Sequence, residues 1–522
     1  MDWRRDRHLR QFGPFGSHRR ALLACRASRG GDRRRDPGRR GVRAGHPRAD
    51  RPVRRRPRPR RGPGCLLGAA DLPVHARHLR RRRGRDQHCR QRRRPRHPAS
   101  YGLSARAERR LRRPHPADRL HARRRDPARA ADPAVAVRSP GGRGRSGAVS
   151  GAFEILGVGD VGAKRADLAS IFRGCTGALR GGLTFGQLET TISDRGAKVP
   201  NAKLAMRAPP GLAPALAQAG FDAMSFAGNH CLDWGYDAFG DTLAHMAAAQ
   251  VALCGAGQDL ASALEPVLLE RSGVRIAFIA ASAILPEGYA AEADRPGCAP
   301  LRAHTVYEPI EHDQPGTPAR TRTAPHRGDL EALIEAVLAA RGAADLVIVS
   351  LHWGIHMVKG EIADYQRRAG HALIDAGADA IFGHHPHIMK GVEFHGGRPI
   401  FYSLGNFAIE QPHVWDPAIV RSASFRHLVS LNPSWTLGGA YMLPEDTRIT
   451  GAAKLVVRDG KVLEVRFLPA WIEDDSAPVM LTGEDPRFER VRAYLEEVTA
   501  TEGLSTRFEA DGDTLLIRPA ST

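Results

Sequence analysis

Gly377-Ala-Asp-Ala-Ile-Phe-Gly-His-His-Pro-His387 is the most informative segment of this chain. Its apolar part, residues 378–382, predicts a buried strand, and His384, His385 and His387 follow directly. Three histidines so close together at a strand end are hard to explain as core packing. Neutral imidazoles are common ligands of Zn, Mn and Fe, and a His-x-His pair on a loop can direct two side chains to one centre. The segment therefore predicts a metal site just beyond a strand.

Predicted strands and helices alternate on both sides of this segment. Residues 329–341 have the apolar spacing of an amphipathic helix, residues 345–351 form an apolar strand, and residues 363–376 form another helix. Further strands are predicted at 153–158, 221–227, 275–282 and 399–404, further helices at 210–219, 238–250 and 484–501, and a hairpin at 454–457 and 462–468. This alternation is typical of α/β folds with helices on both sheet faces. Residues 284–328 hold seven prolines and predict a long loop or insertion, which we expect near the site.

Carboxylates follow two apolar runs in the first third of this globular region. Gly157-Val-Gly-Asp160 ends a predicted strand, and Glu189 follows the short run Phe185-Gly-Gln-Leu. A carboxylate at a strand end suits a divalent cation, and the glycines allow close backbone approach. Taken alone, Asp160 is better explained as a turn residue and Glu189 as an ordinary exposed acid.

Asn229-His230-Cys-Leu-Asp233 follows the strand predicted at 221–227. An Asn carbonyl can bind a metal, the adjacent His can act as a proton donor, and Asp233 can hold that imidazole in one tautomer. An Asx turn that caps a helix is the alternative interpretation. The same position after a strand recurs at His352-Trp-Gly354 and at Tyr402-Ser403-Leu-Gly-Asn406-Phe. Open α/β sheets bind ligands at the carboxyl ends of their strands, so these clusters predict one shared pocket.

Taken together, the motifs G-D, L-E, A-x-N-H-x-x-D-x-G, S-L-H-W-G, G-A-D-x-x-x-G-H-H-P-H and Y-S-L-G-N-F follow one another over roughly residues 155–410. In this order they resemble the CapA/poly-γ-glutamate-synthesis (PGA_cap) family, a branch of the metallophosphatase (calcineurin-like phosphoesterase) superfamily. The resemblance implies a four-layer α/β/β/α sandwich. It also implies a site for one or two divalent metal ions, with Mn, Zn and Fe as the candidates.

The resemblance also implies roles for individual residues. The metal ligands would be Asp160, Glu189, Asn229, His352, His385 and His387. His230 would be the general acid, and Asp233 would orient it. His384 would be an outer or substrate residue, with Ser403 and Asn406 on the substrate wall of the pocket.

Three positions depart from the family pattern. Gln187 stands where an Asn usually precedes Leu-Glu, and His356 stands where an acid is often found two residues after His-Trp-Gly. Gly162 occupies the place of the histidine in the Asp-x-His motif of broader metallophosphatases. The last departure puts the occupancy of one of the two metal subsites in question.

Residues 1–150 differ sharply from the rest of the chain. They contain 46 Arg, no Lys and 11 acidic residues, whereas the chain as a whole carries a net charge of +23. No apolar period runs through them, so they cannot bury enough apolar surface to offset their conformational entropy. We predict a disordered Arg-rich segment or a stretch read in the wrong frame, rather than a folded domain. A basic arm for nucleic acid is the alternative.

The predicted organisation is therefore the segment 1–150, a CapA-like domain at 151–475, and a C-terminal helix and short strand at 476–522 that pack on it. The seven cysteines are scattered without a Cys-x-x-Cys pair, which favours a reducing compartment. We find neither an apolar signal segment nor a run of about 18 apolar residues that would predict a membrane span. We therefore expect a cytoplasmic protein.

Two functional hypotheses from different classes follow. The first is a metal-dependent hydrolase acting on a phosphoester or an amide related to poly-γ-glutamate, with a small molecule or a polymer as substrate. The second is a non-catalytic accessory protein of capsule or poly-γ-glutamate biosynthesis that retains a structural metal site. The intact His230 and Asp233 favour the enzyme. Nucleic-acid binding is not expected, since it would require that residues 1–150 are translated.

Overall fold

The structure is a computed structural model, and it describes residues 151–202, 204–410, 416–433, 435, 437–438 and 440–520. The Arg-rich segment, with its predicted disorder, lies outside the described residues. Within them, no helix combines the length and the apolar character needed to span a bilayer.

Strands and helices alternate through the first two thirds of the described chain. The strands are β1 (Phe153–Gly162), β2 (Leu183–Leu188), β3 (Thr191–Ile192), β4 (Arg207–Ala208), β5 (Phe221–Ser225), β6 (Ala252–Cys254), β7 (Ala256–Gly257), β8 (Val267–Arg271), β9 (Val274–Ser282), β10 (Gly297–Cys298), β11 (Ala303–Pro309), β12 (Ala319–Pro325), β13 (Leu346–His352), β14 (Ala380–His384), β15 (Val392–His395), β16 (Arg398–Phe401), β17 (Asn406–Ile409), β18 (Ile449–Arg458), β19 (Lys461–Ile472), β20 (Pro478–Met480), β21 (Thr506–Asp511) and β22 (Thr514–Pro519). The α-helices are α1 (Thr176–Leu179), α2 (Leu212–Ala219), α3 (Gly235–Ala248), α4 (Leu260–Leu264), α5 (Arg327–Ala343), α6 (Asp364–Asp375), α7 (Pro417–Val420), α8 (Ala423–Leu431) and α9 (Pro486–Thr501), with 3-10 turns at Leu168–Phe172 and Glu445–Arg448.

Two sheets form the centre of the fold. The first has the order β21-β22-β19-β18-β1-β2-β5-β6, with β17 also paired to β1 and β20 to β19. The second has the order β15-β16-β14-β13-β9-β8. In both, the central strands run parallel: β1 with β2 and β17, and β13 with β9 and β14. Parallel strands end at the same edge of a sheet, so the polar residues that follow them are brought together.

An aromatic layer joins the two sheets face to face. Phe185 of the first sheet stacks on Phe278 of the second, with ring centroids 4.8 Å apart and planes 4° from parallel. Phe382 lies 6.4 Å from Phe185 and against Gly157, where an added Cβ would come within 2.6 Å of the Phe382 ring. Gly157 is therefore required by this close approach of the sheets.

Helices cover the outer face of each sheet. On the first sheet, α2 packs on β5 and α3 on β6. On the second, α5 and α6 bury Leu333, Val337, Ala369 and Leu373 against Val347, Val349 and Leu351 of β13. The alternate residues of β13, Leu346 and Ile348, face the first sheet instead. A strand buried on both faces explains the unbroken apolar run there. The layers are therefore α/β/β/α, which confirms the predicted fold class.

Two segments differ from their predictions. Residues 284–328 contain an antiparallel hairpin, β11 and β12, rather than an unbroken loop. Thr and Arg alternate through β12, and every residue of β12 is at least partly exposed, so the apolar pattern of a strand is missing. At the C-terminus the single predicted strand is a hairpin, β21 and β22, which joins the first sheet through β19. The division of the chain into domains stays a prediction.

Phe278→Leu tests the aromatic layer. The change keeps an apolar side chain but loses the stacked pair, and such pairs contribute about 0.5–1.5 kcal/mol beyond their buried area. We expect unfolding by chemical denaturant to show a loss of about 1–2 kcal/mol. Leu338→Ala on α5, whose side chain is 55% exposed, should be nearly neutral. Equal losses for both variants would contradict the proposed role of the stack.

Candidate metal centre

β1 delivers Asp160 to the edge where the two sheets meet. Asp160 is fully buried and pairs in register with Asn406 on β17 and with Gln187 on β2. Its backbone N–H donates to the carbonyl of Gly405 at 3.0 Å. The neighbouring Gly159 permits this contact, since a Cβ there would lie 2.1 Å from the same carbonyl oxygen. The Gly-Asp pair is thus explained by a close backbone approach.

Three possible ligand atoms converge at this point. Of the described residues, Asp160, Glu189 and His387 form the group of His, Cys, Asp or Glu residues whose ligand atoms all lie within 4.8 Å of one another. The Nδ1 atom of His387 lies 3.0 Å from Asp160 Oδ2 and 2.8 Å from Asn406 Oδ1. Two oxygens and a nitrogen at such distances are a suitable ligand set for a divalent cation.

The loop after β14 holds its histidines in an uncommon backbone conformation. His385 has φ of 94° and His387 has φ of 57°, a region that residues other than glycine rarely adopt. Such strain is found where the surrounding structure fixes a side chain for function. His384, the last residue of β14, is fully buried, with its Nδ1 3.6 Å from Asp160 Oδ1. The loop thus directs His387 and His384 to the same carboxylate.

β13 and the segment after β5 bring a second group to the same edge. His352 is fully buried, and its Nε2 lies 2.7 Å from Asn229 Oδ1 and 3.6 Å from Glu189 Oε1. The ring of His352 is 5.0 Å from that of His385. Glu189 therefore lies between the Asp160 group and the His352–Asn229–His385 group. Of the other five predicted ligands, Asp160, His387 and His352 approach Glu189 directly, and Asn229 and His385 are connected to it through His352.

His230 and Asp233 form a hydrogen-bonded pair beside these ligands. Nδ1–H of His230 donates to Asp233 Oδ2 at 2.6 Å, and Nε2 lies 3.8 Å from Glu189 Oε1. Asp233 is buried and also accepts from the N–H of Met206 at 2.7 Å and the hydroxyl of Tyr289 at 3.0 Å. Three donors keep this carboxylate in place. The imidazole is thereby fixed with its second nitrogen towards the ligand group.

Too little positive charge lies near the two central carboxylates, Asp160 and Glu189, to balance them. Burial raises the pKa of Asp160, but the imidazoles of His384 and His387 outweigh it and hold that pKa low. Burial, together with the negative charges of Asp160 and Asp233, raises the pKa of Glu189 well above its usual range. Adjacent buried carboxylates disfavour each other's ionised form. A cation between them would relieve this repulsion.

Burial also favours the neutral form of three site histidines. It lowers the pKa of His352 and of His385 well below the usual range, and it lowers the pKa of His356 to about 3. His387 differs: burial lowers its pKa, but the carboxylate of Asp160 outweighs burial and raises it. Neutral imidazole is the form that binds metals.

Unpartnered buried atoms give an independent test of whether a divalent cation fits. The hydrogen bond of His387 Nδ1 goes to Asn406 Oδ1, so both carboxylate oxygens of Asp160 are buried without a hydrogen-bond partner. The same is true of Oε1 of Glu189 and both ring nitrogens of His384. Buried polar atoms are nearly always hydrogen-bonded, and several orphans at one place indicate a missing ion or water. The residues therefore fit a divalent metal ion.

The remaining predicted site residues lie beside the predicted ligands but are buried in the wall of the pocket. Asn406 is fully buried and contacts His387, and His384 is buried beside Asp160. Ser403 is also fully buried, and its hydroxyl accepts the N–H of Gly405 at 3.1 Å, which stabilises the turn. The substrate roles of these three residues stay predictions.

Sequence reasoning missed two contributors. Tyr289, which holds Asp233, lies in the proline-rich region where no period marks it. His356, which appeared only as a departure from the family pattern, stacks 5.5 Å from His385 and lies 5.1 Å from His387. Gln187, the other departure near the site, lies 3.5 Å from Glu189 Oε2 and donates to the carbonyl of Ala227.

Comparison with known proteins identifies the family of this chain. The family described as bacterial capsule synthesis protein PGA_cap matches residues 144–411, which are 268 of the 522 residues. The chain belongs to this family. The predicted site residues of this PGA_cap protein, from Asp160 to Asn406, all lie inside the matched region.

Curated relatives match over part of their length. The PGA biosynthesis protein CapA of Bacillus subtilis is 32% identical over 192 residues, which are 37% of this chain and 43% of that protein. A probable polyglutamine synthesis accessory protein of Mycobacterium tuberculosis is 33% identical over 227 residues, 42% of this chain and 53% of that protein. The PGA_cap chain thus spans about half the length of the curated relatives it matches.

Solved structures show only a distant likeness. A hypothetical protein from Thermus thermophilus has a TM-score of 0.32 at 15% identity, covering 63% of this chain and 98% of that one. The calcineurin-like phosphoesterase YfkN from Bacillus subtilis has a TM-score of 0.31 at 13% identity, covering 67% and 98%. At such scores the likeness indicates nothing about chemistry.

Proposed function

We propose that this PGA_cap protein is a metal-dependent hydrolase of capsule or poly-γ-glutamate metabolism that cleaves a phosphoester or an amide bond. The observation that carries the proposal is the combination of a metal-ligand group with a His–Asp pair aimed at it. A structural metal site needs ligands but no imidazole held ready beside them. His230, with Nε2 3.8 Å from Glu189, is such an imidazole.

The ligands of the centre would be Asp160, Glu189, Asn229, His352, His385 and His387. One or two divalent ions held there would supply Lewis acidity, which polarises the scissile bond and lowers the pKa of the attacking water. The chain itself contributes the geometry: the strand ends and the strained loop after β14 fix the ligands before any ion binds. This preorganisation reduces the cost of reaching the reactive arrangement.

His230 would act on the leaving group. Asp233 accepts from Nδ1, so the proton to be transferred is carried on Nε2, which faces the ligand group. The Asp233 carboxylate stabilises the imidazolium. Hydrogen bonds from Met206 and Tyr289 keep this carboxylate oriented towards His230. An imidazole held in this way is a suitable general acid for an oxygen or nitrogen leaving group.

An accessory role is the second candidate, and one observation favours it. The Mycobacterium tuberculosis relative is named as a probable accessory protein. In that case the ions would hold the two sheets together, and the His–Asp pair would have no reaction to serve. The cytoplasmic location expected from the sequence remains a prediction under either candidate.

Metal content and turnover decide between the two candidates. The full chain is loaded in turn with Mn²⁺, Zn²⁺ and Fe²⁺, its metal content is measured, and it is assayed on a panel of phosphoesters and γ-glutamyl amides. We expect metal to bind and one of the two substrate classes to be hydrolysed. Bound metal without hydrolysis of either class would support the accessory role and rule against the enzyme.

A further inference from the structure

We propose that His356 is a specificity-determining residue that faces the substrate at the mouth of the metal centre and favours an anionic group there. The inference rests on the proposed function, because it concerns the substrate of the same site. The anionic group that the substrate carries beside the scissile bond would be a phosphate oxygen or a glutamyl carboxylate.

Three imidazoles form a triangle at the mouth. The ring centroids of His356 and His385 are 5.5 Å apart, those of His356 and His387 5.1 Å, and those of His385 and His387 6.1 Å. His356 is not part of the Asp160–Glu189–His387 ligand group. It contacts the rings of two predicted ligands and is itself partly exposed, so it borders the space where a substrate bound at the centre would lie.

Burial distinguishes the mouth from the floor of the site. Asp160, Glu189 and His352 have at most 1% of their surface exposed and form the floor. His356 and His385 are partly exposed, as is His230, whose side chain is 13% exposed. His356 and His230 are therefore placed to meet a ligand that enters from solvent.

A rigid turn fixes His356 independently of any ligand. Met357 has a positive φ of 51°, its N–H donates to Pro386 at 2.9 Å, and its carbonyl accepts from Asn432 at 3.1 Å. Lys390, which is buried, donates to the carbonyls of Val358 and Glu361. The strained backbone of this turn is kept in place by the buried Lys390 and by neighbouring elements. The turn therefore holds the His356 side chain in one position.

The charge at this position explains the preference for an anion. Asp160, Glu189 and Asp233 already place three buried carboxylates at the site. A further carboxylate at position 356 would repel an anionic substrate, whereas an imidazole offers an N–H donor and adds no negative charge. The His356 ring contacts the rings of His385 and His387 and is partly exposed. Its N–H donor can therefore be offered to a ligand at the centre.

Anion binding tests the proposal without knowledge of the natural substrate. The metal-loaded full chain is titrated calorimetrically with inorganic phosphate and, separately, with glutarate, which stands for the glutamyl carboxylate. His356→Glu should weaken binding of the preferred anion at least about 30-fold through like-charge repulsion. His356→Ala should weaken it about 3- to 10-fold through loss of one donor. His356→Gln, which keeps an N–H donor, should stay close to wild type. The probe that binds more tightly, phosphate or glutarate, shows whether the substrate group is a phosphate or a glutamyl carboxylate.

His245→Glu is the matched control, because it makes the same charge change near the far end of α3, about 15 Å from the start of the helix at Gly235. It should leave anion binding unchanged, and metal content should stay at the wild-type value in every variant. Equal anion affinity for His356→Glu and wild type, or no anion binding by the metal-loaded wild type, overturns the inference alone. Loss of metal in His356→Gln would make His356 a ligand and also overturn it. A wild-type protein without metal would overturn the proposed function together with this inference.

Discussion

Asp160→Asn is expected to remove most of the bound metal, with affinity lowered at least about 100-fold. The substitution keeps the shape of the side chain but removes its negative charge from the centre of the ligand group. Even outer partners of metal ligands contribute about 10- to 100-fold to affinity, so a buried ligand with two unpartnered oxygens should contribute at least as much. Elemental analysis after dialysis, followed by a competition titration with a chelator, measures the change.

Asp222→Asn is the control for this experiment. Asp222 lies near the amino end of β5, in the same sheet as Asp160 but at the edge opposite to the carboxyl ends of the strands. Its carboxylate accepts the N–H of Thr184 at 2.8 Å. Its substitution should cost some stability and leave metal content unchanged. Loss of metal in both variants would point to a general effect on the fold. Full metal content in Asp160→Asn would show that Asp160 is not a ligand.

His230→Asn should lower turnover by about 10²–10⁴-fold on substrates with poor leaving groups, because general acid catalysis contributes about this much. Metal content should stay close to wild type, since the ring is bound to Asp233 and need not bind the ion. Substrates whose leaving groups need no proton should be affected much less. The slope of rate against leaving-group pKa in wild type and variant measures this difference.

Tyr289→Phe provides the graded comparison for that experiment. It removes one of the three donors to Asp233 without touching His230, so the same leaving-group dependence should appear with a smaller amplitude. If His230→Asn loses metal as well as activity, then His230 is a ligand and its assigned role is wrong. If its activity is unchanged for every leaving group, no general acid acts at this position.

The strand ends were the predictable part of the site. Apolar runs of strand length predict β13 and β14. Placing the histidines that end them, His352 and His384, needed only the rule that parallel strands end at one edge of a sheet. The four-layer arrangement needed the family resemblance as well. Period and spacing do not reveal that Phe185 and Phe278 stack across two sheets, because that contact joins distant parts of the chain.

Other parts of the site depend on contacts that no local pattern carries. Tyr289 reaches Asp233 across 56 residues, from a region with no apolar period. The position of His356 depends on the turn at Met357, where a residue other than glycine adopts positive φ. Sequence rules assign such a turn to glycine or asparagine and so do not predict it. His356 was visible in the sequence only as a departure from a motif.

The origin of the ligands in both sheets has a thermodynamic consequence. Asp160 and Glu189 come from the strand ends of the first sheet, whereas His352 and His387 come from the strand ends of the second. An ion bound by all four residues would cross-link the two sheets of the sandwich. Metal binding and unfolding of the protein are then thermodynamically linked. At a free ion concentration of 100 times its Kd, the folded state gains about 2.7 kcal/mol. A core weakened at the aromatic layer is then rescued by added metal, and the chelated protein is the form most sensitive to changes in that layer.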